Sequence, residues 1–165
     1  MSVQIVPGRN TAAVEGDIVV FHIGLRLNRL RAISSWLPAL RSMPRMLREL
    51  SEDKDSGLLG FKILYGSPRD FYIVQYWADK ERLLAYAYQQ DKQHRPAWAA
   101  FNRRARNGKQ AVGIWHETYI VQAGNYETVY VDMPAYGLGA ATGHVPVGRR
   151  GETSAERLEA GKKKK

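Results

Sequence analysis

The sequence predicts an α+β domain in the order β-α-β-β-α-β, followed by an extension. Four segments carry alternating β-branched and aromatic residues, two segments between them carry apolar residues at helical spacing, and Gly, Pro, Asp and Ser cluster at the joints. The chain has 165 residues, 44% of them hydrophobic. That is the size of one domain with a single core.

Residues 1–16 are polar and interrupted by Pro7, Gly8 and Gly16, which reads as an N-terminal arm. Residues 17–27 alternate and are rich in Val, Ile and Phe, the pattern of a strand. From Leu30 the spacing becomes helical, with Leu30, Ile33, Leu37, Leu40, Leu47 and Leu50 on one stripe. Pro38 and Pro44 are expected to start, kink or break that helix, since each lacks a backbone donor. Two strands at 58–65 and 71–77 flank Gly66-Ser67-Pro68-Arg69-Asp70, a hairpin loop by composition. Asp79 is placed to cap a second helix whose apolar face holds Leu83, Leu84, Ala87 and Tyr88, with Pro96 interrupting it after His94. Residues 110–121 form the last strand, which completes the split β-α-β arrangement of a ferredoxin-like fold. The organisation expected is an arm at 1–16, the domain at 17–122, an extension at 123–147 packing on it, and a disordered basic tail at 148–165.

Both parities of the first and third strands are apolar: Val19, Phe21 and Ile23 against Ile18 and Val20, and Phe71 and Ile73 against Tyr72, Val74 and Tyr76. Two helices cover only one face of such a sheet. A second identical chain packed face to face is the economical cover, so a homodimer, a dimeric α/β barrel with a cavity between sheet and helices, is expected.

The absence of Cys excludes a disulfide scaffold, a thiolate metal site and a cysteine nucleophile, and it suits a cytoplasmic protein. No apolar run approaches the ~20 residues of a membrane span, so no membrane partner is expected. The net charge of +9 owes four charges to Lys162, Lys163, Lys164 and Lys165, a solvated run rather than a nucleic-acid surface. An RNA-binding sheet would need a Gly-aromatic-Gly signature beside its aromatics, and the strand at 71–77 has no Gly. Phosphate-binding glycine loops, His/Asp metal spacing and a Gly-x-Ser-x-Gly elbow are also missing.

Candidate chemistry concentrates in Gly113-Ile114-Trp115-His116-Glu117-Thr118-Tyr119. Alternation turns His116 and Thr118 one way and Trp115, Glu117 and Tyr119 the other. His22 and His116 lie near the middle of neighbouring strands and would meet on one face in one register, while a slip of one residue would separate them. Glu117 has two readings: a carboxyl desolvated near Trp115 and Tyr119 and thereby prepared for proton transfer, or the partner of Arg41, Arg45 or Arg48 on the first helix. His94, Trp98, Phe101 and Asn102 share the Pro-interrupted helix, whose gap favours a ligand pocket. An imidazole there is also of the kind that binds haem iron axially.

Several ordered segments resemble a known family: Arg45-Met46-Leu47-Arg48-Glu49-Leu50, Gly57-Leu58-Leu59-Gly60, Gln75-Tyr76-Trp77, His94-Arg95-Pro96-Ala97-Trp98, Phe101-Asn102, the 113–119 strand, and Tyr126-Glu127 through Met133-Pro134 with Gly137-Leu138-Gly139. Over about residues 17–142 the chain is similar to the monooxygenase-like family of dimeric α/β barrels that includes a fumagillin-pathway oxygenase. The resemblance implies an oxidoreductase, a monooxygenase inserting oxygen into a small apolar or aromatic organic substrate, often in secondary metabolism. On that reading His116 or His94 is the general base, Glu117 and Tyr119 position protons, and His22, Trp77, Trp98, Phe101, Asn102 and Trp115 line the substrate site. No cofactor is needed for it. The alternatives are a haem enzyme of the aldoxime-dehydratase or peroxidase type, with His94 or His116 as proximal ligand, and a non-catalytic ligand-binding dimer.

Overall fold

The computed structural model describes residues 4–88 and 110–162. Its strands and helices are β1 (Ile5–Ala12), β2 (Ile18–Leu27), α1 (Ile33–Glu52), β3 (Leu58–Ser67), β4 (Asp70–Trp77), α2 (Lys80–Tyr88), β5 (Val112–Val121), β6 (Tyr130–Pro134), α3 (Gly137–Thr142), β7 (His144–Pro146) and α4 (Ser154–Lys162), with a 3-10 turn at Val147–Arg149. The main sheet runs β3-β4-β2-β5, antiparallel throughout, which is the ferredoxin-like strand order.

Alternation divides the main sheet into two faces. Val19, Leu25, Leu27, Ile73 and Trp77 face the helices, where Val19 and Trp77 pack with Leu50 and Leu83, and Leu25 and Leu27 with Ala111 and Val112. α1 continues through Pro38 and Pro44 instead of ending at either. Each proline removes one backbone bond, and burial of Leu47 and Leu50 within two turns after Pro44 holds the helix to the sheet. Asp79 caps α2 as expected, accepting from the Arg82 amide at 2.8 Å. The hairpin is tighter than its composition suggested. β3 runs on to Ser67 and β4 starts at Asp70, because the Ser67 hydroxyl donates to Asp70 at 2.6 Å and accepts from the Arg69 amide at 3.1 Å.

The opposite face is half covered by the chain itself. β6, β1 and β7 form a second, three-stranded sheet, and residues 1–16, expected as an arm, supply its central strand. Leu138, Ala12, Val14 and Ile18 make a core there with Val20, Tyr76 and Val121. α3 reaches β3 closely: a Cβ at Gly60 would stand 2.7 Å from the Ala141 Cβ. Residues 148–165, expected to be disordered, instead carry α4 over their described part. The reason is Arg157, whose side chain is 5% exposed and pairs with Glu127 at 2.8 Å. Few large apolar residues mark this tail, and a buried ion pair does the docking in their place.

Candidate functional site

β5 pairs with β2 so that Val20 stands opposite Tyr119, His22 opposite Glu117, Ile23 opposite His116 and Gly24 opposite Trp115. This register separates the two strand histidines, which the sequence had left free to meet. His22 joins Glu117, Tyr119 and Trp115 on the face away from α1, and His116 lies on the helix side.

On the open face the Tyr119 hydroxyl donates to Glu117 Oε2 at 2.7 Å. The His22 ring meets the Tyr119 ring edge-on, with centroids 5.6 Å apart. Trp115 reaches across β2 over Gly24, where a Cβ would stand 2.4 Å from the indole, and its ring lies 6.1 Å from that of Tyr72 on β4. Gly24 therefore gives the indole its seat. An imidazole, a carboxylate and a phenol thus adjoin an aromatic floor of Trp115 from β5 and Tyr72 from β4, laid across Gly24 of β2. Beside them, Lys62 on β3 sits 4.5 Å above the Tyr136 ring, where the extension borders the face.

Glu117 fits neither of its sequence readings. It is exposed rather than desolvated, its partner is Tyr119, and the helix carrying Arg41, Arg45 and Arg48 lies across the sheet. Arg48 itself pairs with Glu52 at 2.8 Å. Donation to the Glu117 carboxylate holds the Tyr119 phenol above its ordinary range, because the bond favours the neutral phenol. The phenol thus stays protonated against the carboxylate that accepts its hydrogen bond.

The helix side presents a different set. His116 packs on Phe21 with centroids 5.7 Å apart, and Phe21 packs on the core of Val19, Leu50, Trp77 and Leu83. Trp77, expected to line the substrate site, is completely buried, and its indole N–H donates to Gln75 at 3.0 Å. It is a core residue. Burial, with a smaller contribution from Glu49, pushes the Tyr86 phenol up to about 12. Oε2 of Glu49 is buried with no hydrogen-bond partner among the described residues. Glu49 and Tyr86 escaped the sequence reading, although a Glu three residues after Met46 and beside Leu50 on an apolar stripe carries that signal. His94, Trp98, Phe101 and Asn102 lie outside the described residues. Among the described residues no group of three His, Asp or Glu could hold a metal ion, and no helix is long and apolar enough to cross a membrane.

Comparison with known proteins identifies the family. Residues 18–138 match the family described as Monooxygenase af470-like. The chain is 28% identical over 174 aligned residues to "Monooxygenase af470" of Aspergillus fumigatus, a match covering 93% of this chain and 60% of that protein. The chain thus spans about 60% of the length of this curated relative. Among solved structures, an aldoxime dehydratase superposes with a TM-score of 0.60 at 14% identity, covering 98% of this chain and 46% of that one, a likeness of fold. SnoaB, a cofactor-independent oxygenase from Streptomyces nogalater, superposes with a TM-score of 0.40 at 12% identity, over 62% of this chain and 91% of that one. With the family match spanning the main sheet, both sheet-packing helices and the strand that carries Trp115, Glu117 and Tyr119, the chain belongs to the Monooxygenase af470-like family.

Proposed function

We propose that the protein is an oxygen-dependent oxidoreductase acting on a small aromatic substrate with an acidic C–H, bound on the open sheet face. The observation that supports this most is the Tyr119–Glu117 hydrogen bond of 2.7 Å beside His22, next to the floor of Trp115 and Tyr72. A flat apolar substrate stacks on the indole and brings its C–H to the carboxylate. Glu117 takes the proton, with His22 as the neighbouring base. The carbanion passes its electrons to O2 in one-electron steps and forms a C–O bond. Protonation from the Glu117–Tyr119 pair yields a hydroperoxide, which loses water to leave a carbonyl. Overall a methylene and O2 give a carbonyl and water, the substrate supplies the electrons, and the borrowed proton returns. Fungal "Monooxygenase af470" is consistent in name with this chemistry.

Water exclusion on this face calls for a second copy of the chain. Trp115 and Tyr119 remain 39% and 48% exposed where the extension stops short. A face-to-face homodimer covers them, burying on the order of 800 Å² per partner. Sedimentation analysis should give a dimer at micromolar concentration, and a folded monomer would contradict the sealed site.

A haem reading has one observation in its favour: His116 makes no hydrogen bond or ion pair among the described residues and stands exposed on the helix side. It would be the residue to hold haem iron, the haem then supplying redox or Lewis-acid chemistry. One experiment separates the two readings. Protein expressed with haem precursor is examined by absorption, then tested for O2 uptake with dithranol, whose methylene is flanked by two aryl rings. A colourless protein that consumes O2, with the rate lost in Glu117→Gln, supports the oxygenase. A Soret band that disappears in His116→Ala overturns it.

A further inference from the structure

A cavity of about 290 Å³ lies where α4 and the turn before it meet the chain entering β2 and leaving β5. Its wall holds three guanidinium-bearing residues, Arg149, Arg150 and Arg157, with Glu15 and Tyr126. We propose that this cavity is a binding site for a small-molecule oxyanion, a carboxylate or phosphate.

The three arginines differ in how far their charge is already used. Arg157 is committed: it donates to Glu127 at 2.8 Å, to the Gly151 and Glu152 carbonyls at 3.1 and 3.0 Å, and to Ser154 at 3.3 Å. It builds the wall. Arg150 donates to the Ala13 carbonyl at 2.9 Å and lies 3.6 Å from Glu15, an ion-pair distance without a hydrogen bond. Arg149 forms no ion pair or side-chain hydrogen bond among the described residues. One guanidinium is therefore free and a second is loosely held, both at a concave surface.

The enclosure is set by glycines rather than by chance packing. A Cβ at Gly161 would stand 2.8 Å from the Gly124 amide nitrogen, so α4 meets the turn after β5 with backbone against backbone. Gly124 itself has φ of 82°, a conformation other residues rarely adopt. The Tyr126 hydroxyl donates to the Gly16 carbonyl at 2.7 Å and fixes the opposite wall. The volume is at the lower edge of the roughly 300–1,000 Å³ typical of ligand pockets, enough for an oxyanion on a few carbon atoms. A fork of five donors on each guanidinium matches such a group bidentately. The arginine side of the wall, residues 145–161, lies wholly beyond the 18–138 segment matched by the family.

The test titrates the full chain, in a buffer free of both anions, with inorganic phosphate and separately with succinate, using chloride at matched ionic strength as the reference. Either probe should give saturable heat and a rise in Tm that chloride does not reproduce, and the stronger of the two identifies the oxyanion. Arg149→Gln, an exposed substitution that leaves the fold intact, should weaken binding by about tenfold or more, the loss of one charge-assisted contact, while Arg149→Lys, which keeps the charge but loses the fork, should fall between Arg149→Gln and the wild type. The proposal is overturned if neither probe exceeds chloride, or if folded Arg149→Gln binds like the wild type.

Discussion

Substituting Gly24 by Ala tests whether Trp115 is seated as described. A Cβ at position 24 would stand 2.4 Å from Cε2 and Nε1 of Trp115 and 2.6 Å from Cζ2, so the indole must leave its place over β2. The backbone itself accepts alanine, since Gly24 is not among the positive-φ glycines. Overpacking of this kind costs about 1–3 kcal/mol, and replacing a strand glycine returns about 0.5–1 kcal/mol. The net loss is roughly 0.5–2 kcal/mol, toward the low end because a half-exposed indole can swing into solvent. At about 2–4 °C per kcal/mol for a chain of this size, Tm should fall by roughly 1–8 °C, with a change in tryptophan fluorescence. In a Trp115→Ala background the collision is absent, and Gly24→Ala should become stabilising by about 0.5–1 kcal/mol. The double-mutant cycle, read by urea denaturation, should thus show a coupling of about 1–3 kcal/mol. Equal effects of Gly24→Ala in the two backgrounds, with fluorescence unchanged, would refute the seat.

Three further outcomes follow from the packing. Arg157→Ala should destabilise the chain by about 3–5 kcal/mol in urea titrations, because Glu127 is left at a site built for a buried ion pair; an unchanged midpoint would mean that α4 contributes nothing to the fold. Gly60→Ala should cost about 1–3 kcal/mol, since the new Cβ meets the Ala141 backbone as well as its side chain, and a wild-type midpoint would show that α3 is not docked on β3. Tyr86 carries a raised pKa of about 12 in the fold, so the unfolded chain releases its proton first and stability falls as pH rises from about 10 to about 12. Tyr86→Phe should flatten that part of the alkaline unfolding curve, and an identical slope would place the phenol in solvent.

Period-two alternation made the strands of the main sheet legible, and Asp79 marked the start of α2. The faces of Glu117 and His116 were likewise readable, because neighbours on a strand point apart whatever the register. The pairing of His22 was not: it depends on which β2 residue stands opposite Glu117, and a shift of one residue would have put His116 there instead. Trp77 was misread for a related reason. Aromatic character does not distinguish a pocket wall from a core, and the partner that decides it, Gln75, lies two residues away on the same strand. β1 and α4 were hidden because long-range pairing holds them, β1 between β6 and β7, and α4 through the Arg157–Glu127 bridge. Local composition carries no trace of such partners. Gly24 is silent in sequence too, since its role appears only once Trp115 lies across it.

Glu117 is proposed as the base of an oxygenase site, and isotope labelling tests that role most directly. Wild-type protein and Glu117→Gln are incubated with dithranol under ¹⁸O2, the product carbonyl is analysed by mass spectrometry, and circular dichroism and sedimentation confirm that the variant keeps the wild-type fold and assembly. With Glu117 as the base, the product carries one labelled oxygen and the rate is about 10²–10⁴ lower in Glu117→Gln, the range for loss of a general base. A folded Glu117→Gln protein that turns over at the wild-type rate would contradict it.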